Sequence, residues 1–306
     1  MPQGMRMDAL SGRIIHMLRG LYTAGTAMLA QSRRMDVISN NMVNAETAGY
    51  KSDTIVTRSF RDMMISRIND PSVYQYKYVG PHNTGIHIDT IKTHFLQGPL
   101  LETQHPTDFA LEGDAFFVVE FIPQILIPPD ADDLADPDYE PEYEDGEPEM
   151  RYTRAGNFNV DAEGYLVTPE GQYVQGQGGS IYIGKSEFTV DTTGCVFVKS
   201  EDGEEEEIDQ LMLVRFEDNG VLRKLGGTLY GVAPLVDEDG DPLDILEPEE
   251  TESVVVRQGY LEGSNVDEAR ETVRMMETYR AYEINQRILH MIDESLGKAV
   301  NDIAKI

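Results

Sequence analysis

The sequence predicts an α+β protein whose long N- and C-terminal helices form a coiled-coil-like stalk, with a central, mainly antiparallel β domain between them in the chain. Three observations predict it. Apolar residues recur at spacings of three and four at both ends, the β-prone runs between Ile86 and Tyr260 are punctuated by Gly, Asn and Asp, and Asn265–Ile306 contains no Pro.

The C-terminal stretch carries the clearest rhythm. Val266, Ala269, Val273 and Met276 keep the spacing, and Leu289, Ile292, Leu296, Ala299, Ile303 and Ile306 resume it. A helix of that length runs roughly 60 Å, far beyond the globular mean of about 11 or 12 residues, so a partner helix is expected along its stripe. Ser264, followed by Asp267 and Glu268, reads as the helix start, because a hydroxyl accepts from orphan N–H groups and carboxylates suit the positive end of the dipole. Between the two halves, Glu277, Tyr279, Arg280, Tyr282 and Glu283 replace the expected Leu residues. The reading is a polar layer that fixes register, with a ligand site as the alternative.

At the other end, Leu18, Leu21, Tyr22, Gly25, Met28, Leu29, Ser32 and Met35 share one stripe of a helix running to about Asn44. Residues 1–16 show no clear pattern, and they are read as an upstream extension before a biological start at Met17. Ala24, Gly25, Ala27 and Ala30 leave room for close helix approach. Asn40, Asn41, Asn44, Thr47 and Gly49 then favour a turn, since Asn and Gly tolerate left-handed backbone, and Tyr50 and Lys51 close it. Ser59 to Ile68 is expected as a second, shorter helix that completes an N-terminal helical segment over 17–68, and 69–85 as a connecting loop.

From Ile86 the period shortens. The apolar run Phe116 to Val119 and the pieces Arg151–Arg154, Phe158–Val160, Gly164–Thr168 and Gln172–Val174 are separated by tight-turn signals, which makes 86–260 a β domain and leaves 261–306 as the C-terminal helix. The acidic, proline-containing stretch within 122–150 reads as an insertion loop.

The formal charge of −30 is concentrated. Three segments, Asp130–Glu149, Glu201–Asp209 and Asp237–Glu252, hold 27 of the 55 carboxylates and no Lys or Arg, so the rest of the chain is nearly neutral. Acidic segments repel phosphate, which argues against nucleic acid as a partner, and they are read as solvated loops. No run of about 18 apolar residues and no signal-peptide pattern is visible, so no integral membrane span is expected. One cysteine, Cys195, excludes an internal disulfide framework and a cysteine-based zinc cluster.

No enzymatic constellation and no cofactor site stands out. His82, His87, His94 and His105 fit no helical pair or zinc spacing. Asp237, Asp239 and Asp241 begin like a calcium loop, but Gly240 falls too early and Pro248 stands at the twelfth position. Gly176, Gly178 and Gly179 read as a turn, since no helix follows to cradle phosphate, and Cys195 has no basic neighbour nearer than Lys199.

Two stretches carry a family resemblance. Met35-Asp36-Val37-Ile38-Ser39-Asn40-Asn41-Met42-Val43-Asn44-Ala45-Glu46-Thr47-Ala48-Gly49-Tyr50-Lys51 and Gly259-Tyr260-Leu261-Glu262-Gly263-Ser264-Asn265-Val266, the latter followed by Met276 to Glu283, resemble the two signatures of the bacterial flagellar rod and hook axial proteins. Weaker matches lie in Gln97–Leu100, Asp108–Val118 and Tyr152–Phe158, while the acidic insertion and Ala115, where a Gly is expected, depart from the pattern.

The resemblance implies a structural subunit that polymerises through its terminal helices into a tube, with the β domain facing outward. Its partners would be further copies, other rod and hook proteins and the flagellar type III export apparatus, which exports without a cleaved signal. The modest length suggests a proximal or distal rod protein rather than the hook subunit. Candidate assembly residues are Leu18, Leu21, Tyr22, Met28, Leu29 and Met35 on the first helix, and Asn40, Asn41, Asn44, Gly49 and Tyr50 in the turn. Val273, Met276, Arg280, Tyr282, Leu289, Ile292, Leu296 and Ile303 complete them on the last helix. A rival reading from another class is a secreted cation- or glycan-binding β module with helical arms.

Overall fold

The computed structural model describes residues 3–66, 78–126, 143–184, 186–199, 205–232, 249–250 and 254–304. The chain forms two compact units, one of Met1–Val43, Asp53–His94 and Val266–Ile306, the other of Asn44–Ser52 and Phe95–Asn265.

The first unit holds both long helices, α1 (Gln3–Val43) and α2 (Glu268–Ala304). They pack on one another: a Cβ added at Gly20 would lie 3.1 Å from Ile292 Cδ1. Gly20 and Ile292 are nearly equidistant from the end of α1 and the start of α2, as antiparallel helices require. The cap of α2 is Asp267 rather than the expected Ser264, for the Asp267 carboxylate accepts the Arg270 amide at 3.0 Å. The chain is still extended through Tyr260–Glu262, so the helix begins one turn later than the hydroxyl suggests.

The expected short helix at Ser59–Ile68 is absent from the described residues there, and 69–85 is not all loop. Asp53–Ser59 pairs antiparallel with Ile86–Thr93, and Met63–Ser66 with Tyr78–His82. Thr54, Ile55, Val56 and Thr57 favour pleated backbone, and cross-strand pairing decides the state of Met63 and Met64, whose own propensity is weak. The Phe60 amide donates to the Gly85 carbonyl at 3.0 Å, tying the strands where the ladder is interrupted. Residues 67–77 lie outside the described set.

The described strands of the second unit all pair antiparallel, with one 3-10 turn at Asn219–Val221. Its largest sheet runs Asn159–Val160, Leu166–Val167, Tyr173–Gly176, Ala115–Phe121, Glu149–Thr153, Leu229–Val232 and Leu222–Gly226. Leu213–Arg215 pairs with the first part of Ala115–Phe121 and with Glu249–Glu250. Ala115–Phe121 is the central strand, and both its faces are covered. Phe117 and Val119 join a core with Phe109, Phe158, Leu166 and Val174, while Phe116 and Val118 join another with Tyr152, Val214, Phe216 and Tyr230. Burial on both sides explains a continuous apolar run where a half-exposed strand would alternate.

Smaller pairs complete the unit: Phe188–Val190, Cys195–Lys199 and Glu205–Gln210 form one three-stranded sheet. Val255–Gln258 pairs with Phe109–Glu112, and Tyr260–Glu262 with Leu100–Glu102. The acidic stretch expected as a loop has ordered arms, since Gln124–Leu126 pairs with Tyr143–Asp145. Residues 127–142, and Asp237, Asp239 and Asp241, lie outside the described residues.

Candidate assembly junction

After α1 the chain turns sharply. The Asn44 carbonyl accepts the Thr47 amide at 3.2 Å, and the Asn44 side chain accepts the Thr47 hydroxyl at 3.3 Å. Gly49 sits at φ +68°, and a Cβ there would lie 2.3 Å from the Ala155 nitrogen, so both the backbone sign and the close approach demand glycine. Its amide donates to the Glu262 carbonyl at 2.7 Å. Tyr50 follows, 1% exposed, with Lys224 Nζ 3.9 Å above its ring and donating to the Lys51 carbonyl at 3.0 Å.

Lys51 then points into the β domain. Its ammonium donates to Glu262 Oε1 at 2.5 Å and to the Leu96 carbonyl at 2.8 Å. Arg154 meets the other carboxylate oxygen at 3.3 Å and donates to the Gly113 carbonyl at 2.6 Å. The Gly98 amide reaches Glu262 Oε1 at 2.8 Å, a fit that needs glycine because a Cβ would lie 1.9 Å from the Gly263 carbonyl oxygen. Asn265 locks the far side, its Oδ1 accepting the Ser52 amide at 2.8 Å and its Nδ2 donating to Leu96 at 3.2 Å.

Glu262, Lys51 and Arg154 all have buried side chains. Burial, opposed by the Glu262 charge, lowers the pKa of Lys51 below its ordinary value, and lowers that of Arg154 for the same reason. The arrangement is a buried ion-pair cluster. What it can do is hold five separate stretches of chain at one point.

Those stretches lie within the matches that carry the resemblance: Thr47–Lys51 at the end of Met35–Lys51, then Gln97–Leu100, Asp108–Val118, Tyr152–Phe158 and Gly259–Val266, while Met276–Glu283 lies apart on α2. The family description "Flagella basal body rod protein" matches 21–51, "Flagellar hook protein FlgE/F/G D1 domain" matches 142–198, and "Flagellar basal body rod FlgEFG protein C-terminal" matches 257–302. The chain is 32% identical over 292 residues to the flagellar hook-basal body complex protein FlhO of Bacillus subtilis, covering 95% of this chain and 100% of that protein. It belongs to the flagellar basal-body rod and hook protein family. It is also 31% identical to the flagellar basal-body rod protein FlgG of Borreliella burgdorferi, over 93% of this chain and 98% of that one. With FlgG of Agrobacterium fabrum it shares 28%, over 90% and 96%.

Against this family frame, Gly49 and Tyr50 fall inside the junction, and Asn44 builds the turn that leads to it. Asn41 acts within the helical unit: its side-chain amide donates to the Asp53 carbonyl at 2.9 Å and accepts the Asp53 amide at 3.0 Å. Asn40 is exposed. On α1, Tyr22 and Leu29 are exposed, whereas Leu21, Met28 and Met35 are half-buried. On α2, Val273, Met276 and Arg280 are exposed, and Tyr282, Leu289, Ile292 and Leu296 are half-buried. Leu18 and Ile303 lie on the helices, but their side chains fall outside the described set.

The sequence reading did not select Lys51, Arg154, Glu262, Asn265 or Gly98 as site residues, although the first four are polar or charged residues inside its motifs. A lone carboxylate among Leu and Gly in Gly259–Val266 is the signal that points to them. Among the described residues, no group of three His, Cys, Asp or Glu is placed to hold a metal, and no helix is long and apolar enough to cross a membrane.

Proposed function

We propose that this chain is a structural, non-enzymatic subunit of the bacterial flagellar basal-body rod, polymerising through its terminal helices into the axial tube between motor and hook. The observation that carries the reading is an unpartnered apolar stripe on each helix. Tyr22, Leu29 and Val43 are 65%, 70% and 79% exposed, and they recur at multiples of seven. Val273, Ile284 and Met291, at 54%, 57% and 61%, line one side of α2. Apolar residues left outward after α1 and α2 have packed together suit a coiled-coil-like stalk with a neighbouring copy as occupant. The family membership supports the same role and a basal-body location, reached by type III export without cleavage of a signal. Other rod and hook proteins are its further partners.

The match to a description that names the hook protein favours a hook subunit as the second reading. Epitope-tagged chain, followed through purification of hook-basal bodies and then of rods stripped of hooks, separates the two. Retention in hookless rods is expected. Loss with the hook supports the second reading, and recovery only as free protein contradicts both.

A further inference from the structure

We infer that Lys51 is a surplus buried charge that makes the docking of Asn44–Ser52 on the β domain a reversible latch. Two cations, Lys51 and Arg154, face a single buried carboxylate, Glu262, among the described residues. The other acid acting on both, Asp114, is exposed. The pocket is therefore net positive, and the cost of desolvating the second cation is not repaid by a second anion.

Hydrogen bonding does not require that ammonium. The Leu96 carbonyl also receives Asn265 Nδ2, Glu262 Oε1 also receives the Gly98 amide, and Glu262 Oε2 receives Arg154. Removing the Lys51 charge would leave a one-to-one Arg154–Glu262 pair with its acceptors still served. Removing the Glu262 charge would leave only the exposed Asp114 to oppose the two cations. The junction is thus tuned below the strength its own contacts allow, so the segment that follows α1 can open while the sheet behind it stays folded. Burial holds the Lys51 ammonium below its ordinary basicity, in keeping with this imbalance.

Amide hydrogen exchange of the full-length monomer tests the latch at Gly49 and Ser52, whose N–H groups are held by Glu262 and Asn265. Lys51→Met is expected to slow exchange at both by about tenfold or more. Lys51→Arg keeps the surplus charge and is expected to exchange at least as fast as the parent. Glu262→Gln is expected to release both amides. If that variant fails to fold, the Met and Arg variants still decide. Exchange in Lys51→Met at the parent rate or faster overturns the proposal.

Discussion

Gly49 donates its amide to the Glu262 carbonyl at 2.7 Å, joining the residue that follows the first helix to the strand that precedes the second. An alanine at 49 meets both the positive φ and the Ala155 backbone. Gly49→Ala is expected to cost about 2–4 kcal/mol, read as a lower urea midpoint of the full chain. An unchanged midpoint would mean that the close approach relaxes freely.

The helical unit has its own fastening in the paired bonds between Asn41 and Asp53. Asn41→Ala removes both bonds to the Asp53 backbone and is expected to cost about 1–3 kcal/mol, with faster amide exchange at Asp53 as the local reporter.

Phe116 and Phe117 are both fully buried on opposite faces of one strand. Each change to alanine is therefore expected to cost about 3–5 kcal/mol by chemical denaturation, whereas a half-exposed strand would show one large loss and one small.

The pH dependence has an unusual sign. Lys51 has a lowered folded pKa, so between that value and its ordinary one the unfolded chain binds more protons, and stability rises with pH. Tyr152, whose pKa burial raises, acts oppositely once an unfolded tyrosine ionises. Denaturation as pH rises toward the ordinary lysine value of about 10.4 should show the Lys51 contribution, read as parent minus Lys51→Met, becoming more favourable, and one that becomes less favourable would contradict the assignment.

The sequence made the terminal helices and the doubly covered strand legible because their cause is local: period in one case, an unbroken apolar run in the other. It hid the strand Met63–Ser66, where pairing with Tyr78–His82 outweighs weak intrinsic preference. It hid the junction for a stronger reason. Lys51 and Glu262 stand 211 residues apart, and no spacing rule brings a lysine from a helix-ending turn onto a carboxylate in a late strand. The α2 stripe was half legible. At 100° per residue, the face of Val273 and Met276 lies roughly 160° from that of Leu289, Ile292 and Leu296, so what reads as one interrupted seam is two. The polar residues between them mark the change of side: Thr278 is buried while Tyr279 and Arg280 are exposed.

The outward stripes carry the central claim, and Leu29→Asp with Met291→Asp addresses it most directly. In flagellated cells depending on this chain, the account predicts that the doubly substituted protein stays folded by circular dichroism but is absent from purified basal bodies. Incorporation at the parent level would show that these faces do not join neighbouring subunits.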